Sequence, residues 1–132
     1  MLRPLSLILG LLYLTACGTD PEDFGRCTGG LAISVSAEVA PEFGWTPADC
    51  QIYDLIVEQA SLIHWTLTSS DEVNAIQPPV RYGEPARPGT IGGGEGVRLI
   101  PGNRYLIRLY RIADDGLVGV AGEHEFLYQP AP

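Results

Sequence analysis

Between residues 99 and 109 the sequence runs Leu-Ile-Pro-Gly-Asn-Arg-Tyr-Leu-Ile-Arg-Leu, and no other stretch restricts the fold as tightly. Pro101-Gly102 marks a turn, and strict alternation follows, with Tyr105, Ile107 and Leu109 on one side and Arg104 and Arg108 on the other. Successive side chains of a strand point to opposite faces, so this pattern describes a strand with one buried face. It reads as a central strand of an antiparallel sandwich.

The same alternation recurs along the chain. Leu31, Ile33 and Val35 oppose Ala32, Ser34 and Ser36, and Phe43 and Trp45 share a face between Pro41 and Pro47, which confine that strand to a few residues. Over residues 52–59, Asp54 and Glu58 set the solvent side, so Tyr53, Leu55 and Val57 are expected inside. Residues 62–68 place Ile63, Trp65 and Leu67 on one face and His64, Thr66 and Thr68 on the other. Residues 97–100 read as a further strand before the Pro-Gly turn. Asp114-Asp115-Gly116 reads as a hairpin turn, after which residues 117–128 keep Val118, Val120, Phe126 and Tyr128 on one face, with Glu123 and Glu125 facing away.

From residue 69 to 96 the regularity fails. One helical turn over 71–75, an extended Gln77-Pro78-Pro79 and a flexible glycine-rich tip over 91–96 are expected there. So long a connection is unusual in a small domain and is expected to cross from one sheet to the other. No amphipathic helix and no internal repeat is legible. The pattern predicts an all-β chain, a two-sheet antiparallel β-sandwich of about seven strands over residues 29–128, with the long loop at 69–96 and a short tail at 129–132.

The beginning of the chain carries a different signal. Arg3, an apolar run over residues 5–14 and the small Thr15-Ala16 have the layout of an export signal over residues 1–16. A spanning helix needs about 18 or more apolar residues, and this run is shorter. Leu14-Thr15-Ala16-Cys17 resembles the lipobox of bacterial lipoproteins, in which the signal is cut before the Cys and that Cys takes the lipid. The resemblance implies a membrane anchor through lipid on Cys17, and Gly18 after it implies an outer-membrane destination. Residues 17–28, with Asp20, Glu22 and Asp23, then form an acidic tether.

With Cys17 lipidated, Cys27 and Cys50 are left of the three cysteines, and an oxidising compartment predicts a disulfide between them. A metal site would need ligands at short spacing such as C-x-x-C, which the sequence lacks. The eight basic residues are all arginine and face sixteen acids, a net charge of −8 that becomes −9 once Arg3 leaves with the signal. Such a surface repels nucleic acid and anionic lipid.

Phe43-Gly44-Trp45-Thr46-Pro47, Tyr53-Asp54-Leu55-Ile56-Val57-Glu58 and the stretch 99–109 together resemble a fibronectin type III domain. The resemblance implies that Trp45 is the core tryptophan, that Tyr53 is the aromatic opening the third strand, and that Tyr105 forms a tyrosine corner, its hydroxyl bonded to backbone a few residues upstream. Residues 76–83, Ile-Gln-Pro-Pro-Val-Arg-Tyr-Gly, are similar to stretches of small bacterial envelope lipoproteins. Neither resemblance implies an activity, since the fold hosts many functions.

Catalytic and ligand chemistry finds few parts. His64 and His124 are the two histidines, and neither stands in H-x-H, H-x-x-x-H or H-E-x-x-H spacing. There is no G-x-S-x-G elbow, the glycine run 92–96 lacks the G-K-[ST] ending of a phosphate loop, and a lone Asp114-Asp115-Gly116 lacks the six or more oxygens calcium takes. No catalytic residue, cofactor or metal is expected. The remaining candidate is the outward stripe Arg104, Arg108 and Tyr110, either a partner-binding face or a solvated face paired with acids on neighbouring strands.

The expectation is a non-catalytic, lipid-anchored envelope protein presenting a binding or structural module to an envelope protein or polysaccharide, without nucleic acid. Alternatives are an accessory subunit whose long loop is ordered by a partner, and a metal-dependent envelope enzyme using His124 and nearby acids.

Overall fold

A computed structural model describes Arg26, Cys27 and residues 30–132 of the chain. The signal segment, Cys17 and most of the acidic tether therefore lie outside the described residues. Eight strands form two antiparallel sheets: β1 (Ala32–Val35), β2 (Glu42–Thr46) and β5 (Val80–Arg81) in order β1-β2-β5, and β6 (Thr90–Gly92), β4 (Leu62–Ser69), β3 (Asp54–Gln59), β7 (Arg104–Ile112) and β8 (Val118–Leu127) in order β6-β4-β3-β7-β8. The protein is a two-sheet antiparallel β-sandwich.

The core lies where the inner faces meet. Phe43 and Trp45 of the small sheet face Leu55, Val57, Leu67, Ile107 and Leu109 of the large one, all buried. Tyr105 is 1% exposed, and its hydroxyl accepts a hydrogen bond from the Ile100 N–H at 2.8 Å. This bond closes the Pro101-Gly102 turn against the strand that follows, so the phenol is satisfied inside an apolar core. Trp45 reaches the Cys50 carbonyl with its indole N–H at 2.7 Å. Cys50 is bonded to Cys27, 23 residues earlier, which fixes the start of the domain to the β2–β3 connection.

The stretch 69–96 departs from the expectation. Residues 71–75 make no helical turn, and the segment contributes two strands: β5 joins the small sheet and β6 the large one, so the connection does cross between them. At the expected flexible tip, Gly92, Gly93 and Gly96 are closely packed. Gly93 has φ +71° and sits so close to the backbone of Glu84 and Ala86 that a Cβ would lie 2.8–2.9 Å from their atoms. The Gly93 N–H bonds the Thr66 carbonyl, and the Trp65 indole N–H bonds Gly94. Residues 97–100 form no strand; Leu99 is buried as the chain turns toward Tyr105.

Expected side-chain directions are reversed at three places, each by a local break in the period of two. Tyr53, expected in the core, lies at a bend and is only half-buried, while Ile52 is buried and bridges Ile76. In β4, Val57 faces Trp65 but Glu58 faces Ile63, leaving His64 as an extra residue. That bulge carries Ile63 out to 58% exposure and turns His64 toward Tyr105, ring centroids 5.4 Å apart. In β8, Leu109 faces Gly122 but Tyr110 faces Val120, so Ala121 is extra. Ala121 and Gly122 are both buried, and Val118 and Val120, expected inside, are about half exposed.

Candidate functional site

The strand register assembles the outer face of the five-stranded sheet in rows. One runs Ile91, Thr68, Asp54, Tyr110, Val120; the next runs Thr66, Ile56, Arg108, Glu123; a third runs Ile63, Glu58, Leu106, Glu125. The face therefore brings Arg104, Arg108 and Tyr110 together, as their shared parity on one strand requires.

Acids on both flanking strands meet the arginines. Arg108 donates to Glu58 at 2.7 Å from one terminal nitrogen and to Glu123 at 3.2 Å from Nε, bridging β3 to β8. The hydrogen bond it donates to Glu123 holds the guanidinium above its already high ordinary pKa. Arg104 lies 3.7 Å from Glu125. Between Val120 and Tyr110 on one side and Thr68 on the other, burial pushes the Asp54 carboxyl up from the usual carboxylate range, and the 2.7 Å hydrogen bond from the Thr68 hydroxyl opposes that shift. The arrangement ties β3, β7 and β8 together through paired charges and β4 to β3 through the Thr68–Asp54 hydrogen bond, with Ile56, Leu106 and Tyr110 between them.

The histidines are separated. His64 lies beneath the face against Tyr105, its Nδ1 buried without a hydrogen-bond partner, and His124 is exposed on β8 opposite Ile107. Among the described residues no group of three or more His, Cys, Asp or Glu converges as metal ligands would. No helix among them is long and apolar enough to cross a membrane.

Two apolar concavities flank the sheet. At the end holding Tyr105 and the Pro-Gly turn, an apolar groove of about 590 Å³ is lined by Val39, Tyr82, Leu99, Pro101 and Tyr128. Its phenols already donate to backbone, Tyr82 to the Val97 carbonyl and Tyr128 to the Val39 carbonyl at 2.7 Å. At the other end, a smaller groove of about 210 Å³ runs beside the start of β8, between Arg111, Leu117 and Val118 to Ala121. Sequence alternation misses this second feature, because it assigns Val118 and Val120 to the core. The signal that marks it is the stretch 116–122, Gly-Leu-Val-Gly-Val-Ala-Gly, which has no charge and too little bulk to fill a sandwich.

The chain matches no protein-family model, and neither a curated protein nor a solved structure matches it.

Proposed function

We propose that this is a non-catalytic, lipid-anchored protein of a bacterial cell envelope, presenting its sandwich as a binding or structural module. The observation that carries the reading is the Cys27–Cys50 disulfide. A disulfide in a small domain belongs to an oxidising compartment, and this one accounts for two of the three cysteines. The third, Cys17, stands at the lipobox-like position behind the apolar run. Gly18 favours the outer membrane as the destination. The buried hydrogen bond of Tyr105 and the burial of Trp45 support the fibronectin type III-like reading of the domain.

The arginines of the outer face are engaged with acids, which favours a structural role for that face over capture of an anionic ligand. The test is metabolic labelling of the full chain in a Gram-negative bacterium with an alkyne fatty acid, followed by membrane fractionation. Label and membrane association are expected in the natural sequence and lost in Cys17→Ser. Equal labelling of both, or export of an unlabelled soluble protein, overturns the reading.

A further inference from the structure

The edges of the two sheets are closed unequally. β5 is two residues long and follows Pro78-Pro79, and β6 is three residues long and ends at Gly92. β1 lies beside β8, where the Leu31 N–H donates to the Ala121 carbonyl at 2.7 Å and the Ala131 N–H to the Ala37 carbonyl at 2.7 Å. These contacts meet the β8 side at Ala121 and again at Ala131, past the end of the strand. Before Ala121 no backbone partner meets this edge among the described residues, and Cys27 is held at Cys50 by the disulfide.

The backbone of that open stretch is presented outward. The Ala113 N–H bonds the Leu117 carbonyl, and residues of an antiparallel pair alternate between bonding inward and pointing away. Val118 and Val120, opposite Ile112 and Tyr110, thus direct their N–H and C=O groups to the free side. Leu117 is 68% exposed, Val118 53% and Val120 52%. Gly119 has nothing within 4 Å of where a Cβ would stand, and this vacancy forms part of the 210 Å³ groove.

We infer that the open edge at Leu117 to Val120 is a strand-addition site, taking an extended polypeptide segment of another protein as a sixth strand. The segment carries a branched aliphatic side chain for the groove over Gly119 and basic residues at its ends. An added strand gains main-chain hydrogen bonds along the edge, and pockets for alternate side chains supply specificity. The charge requirement comes from the surroundings. Asp114 and Asp115 lie at one end of the stretch; beyond the other, Glu123 shares the single cation of Arg108 with Glu58, which leaves a net negative charge there, while Arg111 is engaged with the Gln51 carbonyl at 3.0 Å.

The same charges argue against a second copy of this chain as the occupant. Two β8 edges paired antiparallel about Gly119 would set Asp115 of each opposite Glu123 of the other, and like charges directly opposed destabilise a pair. β1, already seated at Ala121, would also block that register.

The experiment uses the full chain in detergent and a fluorescein-labelled peptide, Lys-Val-Thr-Leu-Thr-Val-Lys, followed by fluorescence anisotropy. Saturable binding is expected, weakened at least tenfold when alternate peptide nitrogens are methylated or both lysines are replaced by glutamate. Gly119→Val fills the groove from within and Val118→Pro removes an outward donor, and each should weaken binding at least tenfold. Val39→Thr, at the far end, should leave it unchanged. Thermal melts check that the variants fold, and Gly119→Val alone suffices if Val118→Pro does not. No saturable binding up to millimolar peptide, or equal affinity in Gly119→Val, overturns the proposal. Concentration-dependent dimerisation abolished by Gly119→Val also overturns it, by assigning the edge to a second copy.

Discussion

Tyr105 and Tyr82 show how much one hydroxyl does in this core. Tyr105→Phe removes the acceptor of the Ile100 N–H and leaves that donor unsatisfied. Stability should fall by about 1–3 kcal/mol, read by urea denaturation, with no change in secondary structure. Tyr82 behaves differently because it titrates. Burial, helped by neighbouring Tyr105 and Tyr128, pushes its phenol up from 10.0 to about 12. An ionised Tyr82 is thus less favourable folded than unfolded. Its contribution to stability is fully present below pH 10 and lost as pH rises toward 12. Denaturation midpoints measured from pH 9 to 12 should decline over the upper part of that range, and Tyr82→Phe should flatten the decline. The nearby Gly96 is constrained by the same ring, since a Cβ there would lie 2.7 Å from the Tyr82 hydroxyl oxygen.

Within the strands, the bulges decide which positions count as core. Ile107 is fully buried, so Ile107→Ala should cost about 2–5 kcal/mol. Val118→Thr and Val120→Thr should each change stability by no more than about 0.5 kcal/mol, because the bulge at Ala121 has turned both outward. Chemical denaturation of the three variants tests the register directly. Alternation made β7 legible residue by residue, since nothing interrupts it between Arg104 and Leu109. It failed at Ile63 and Val120 because a bulge depends on the partner strand, and no local pattern records that an extra residue must be accommodated there. The glycine run failed for a related reason. Composition alone reads Gly92-Gly93-Gly94 as loose, whereas all three have positive φ and, at Gly92 and Gly93, close backbone approach makes glycine the residue a tight packing site requires. Of the candidate face, the arginine stripe was legible and its acid partners followed from register, but the exposure of Val118 and Val120 at the open edge was hidden by the bulge that turns them outward.

For the molecule as a whole, the disulfide sets both stability and orientation. Reduction should lower the free energy of unfolding by about 2–5 kcal/mol, seen as a lower midpoint in the presence of a reductant. Cys27 and Cys50 sit at the end of the sandwich that also carries Asp49, Glu72 and Asp114 around a polar cleft. Under the lipid-anchor proposal that acidic end faces the membrane, so the domain should stand off anionic bilayers. Proteolysis of the tether on vesicles should therefore be faster with anionic than with neutral lipid. The covalent link also defines a mechanical path. A pull applied through the N-terminal tether passes from Cys27 straight into Cys50 and the β2–β3 connection, so β1 and β2 sit in a shielded loop that tension cannot extend. Stretched between its ends, the oxidised domain should release about 75–80 Å less contour length than the reduced one, the reach of the 23 residues held out of the load.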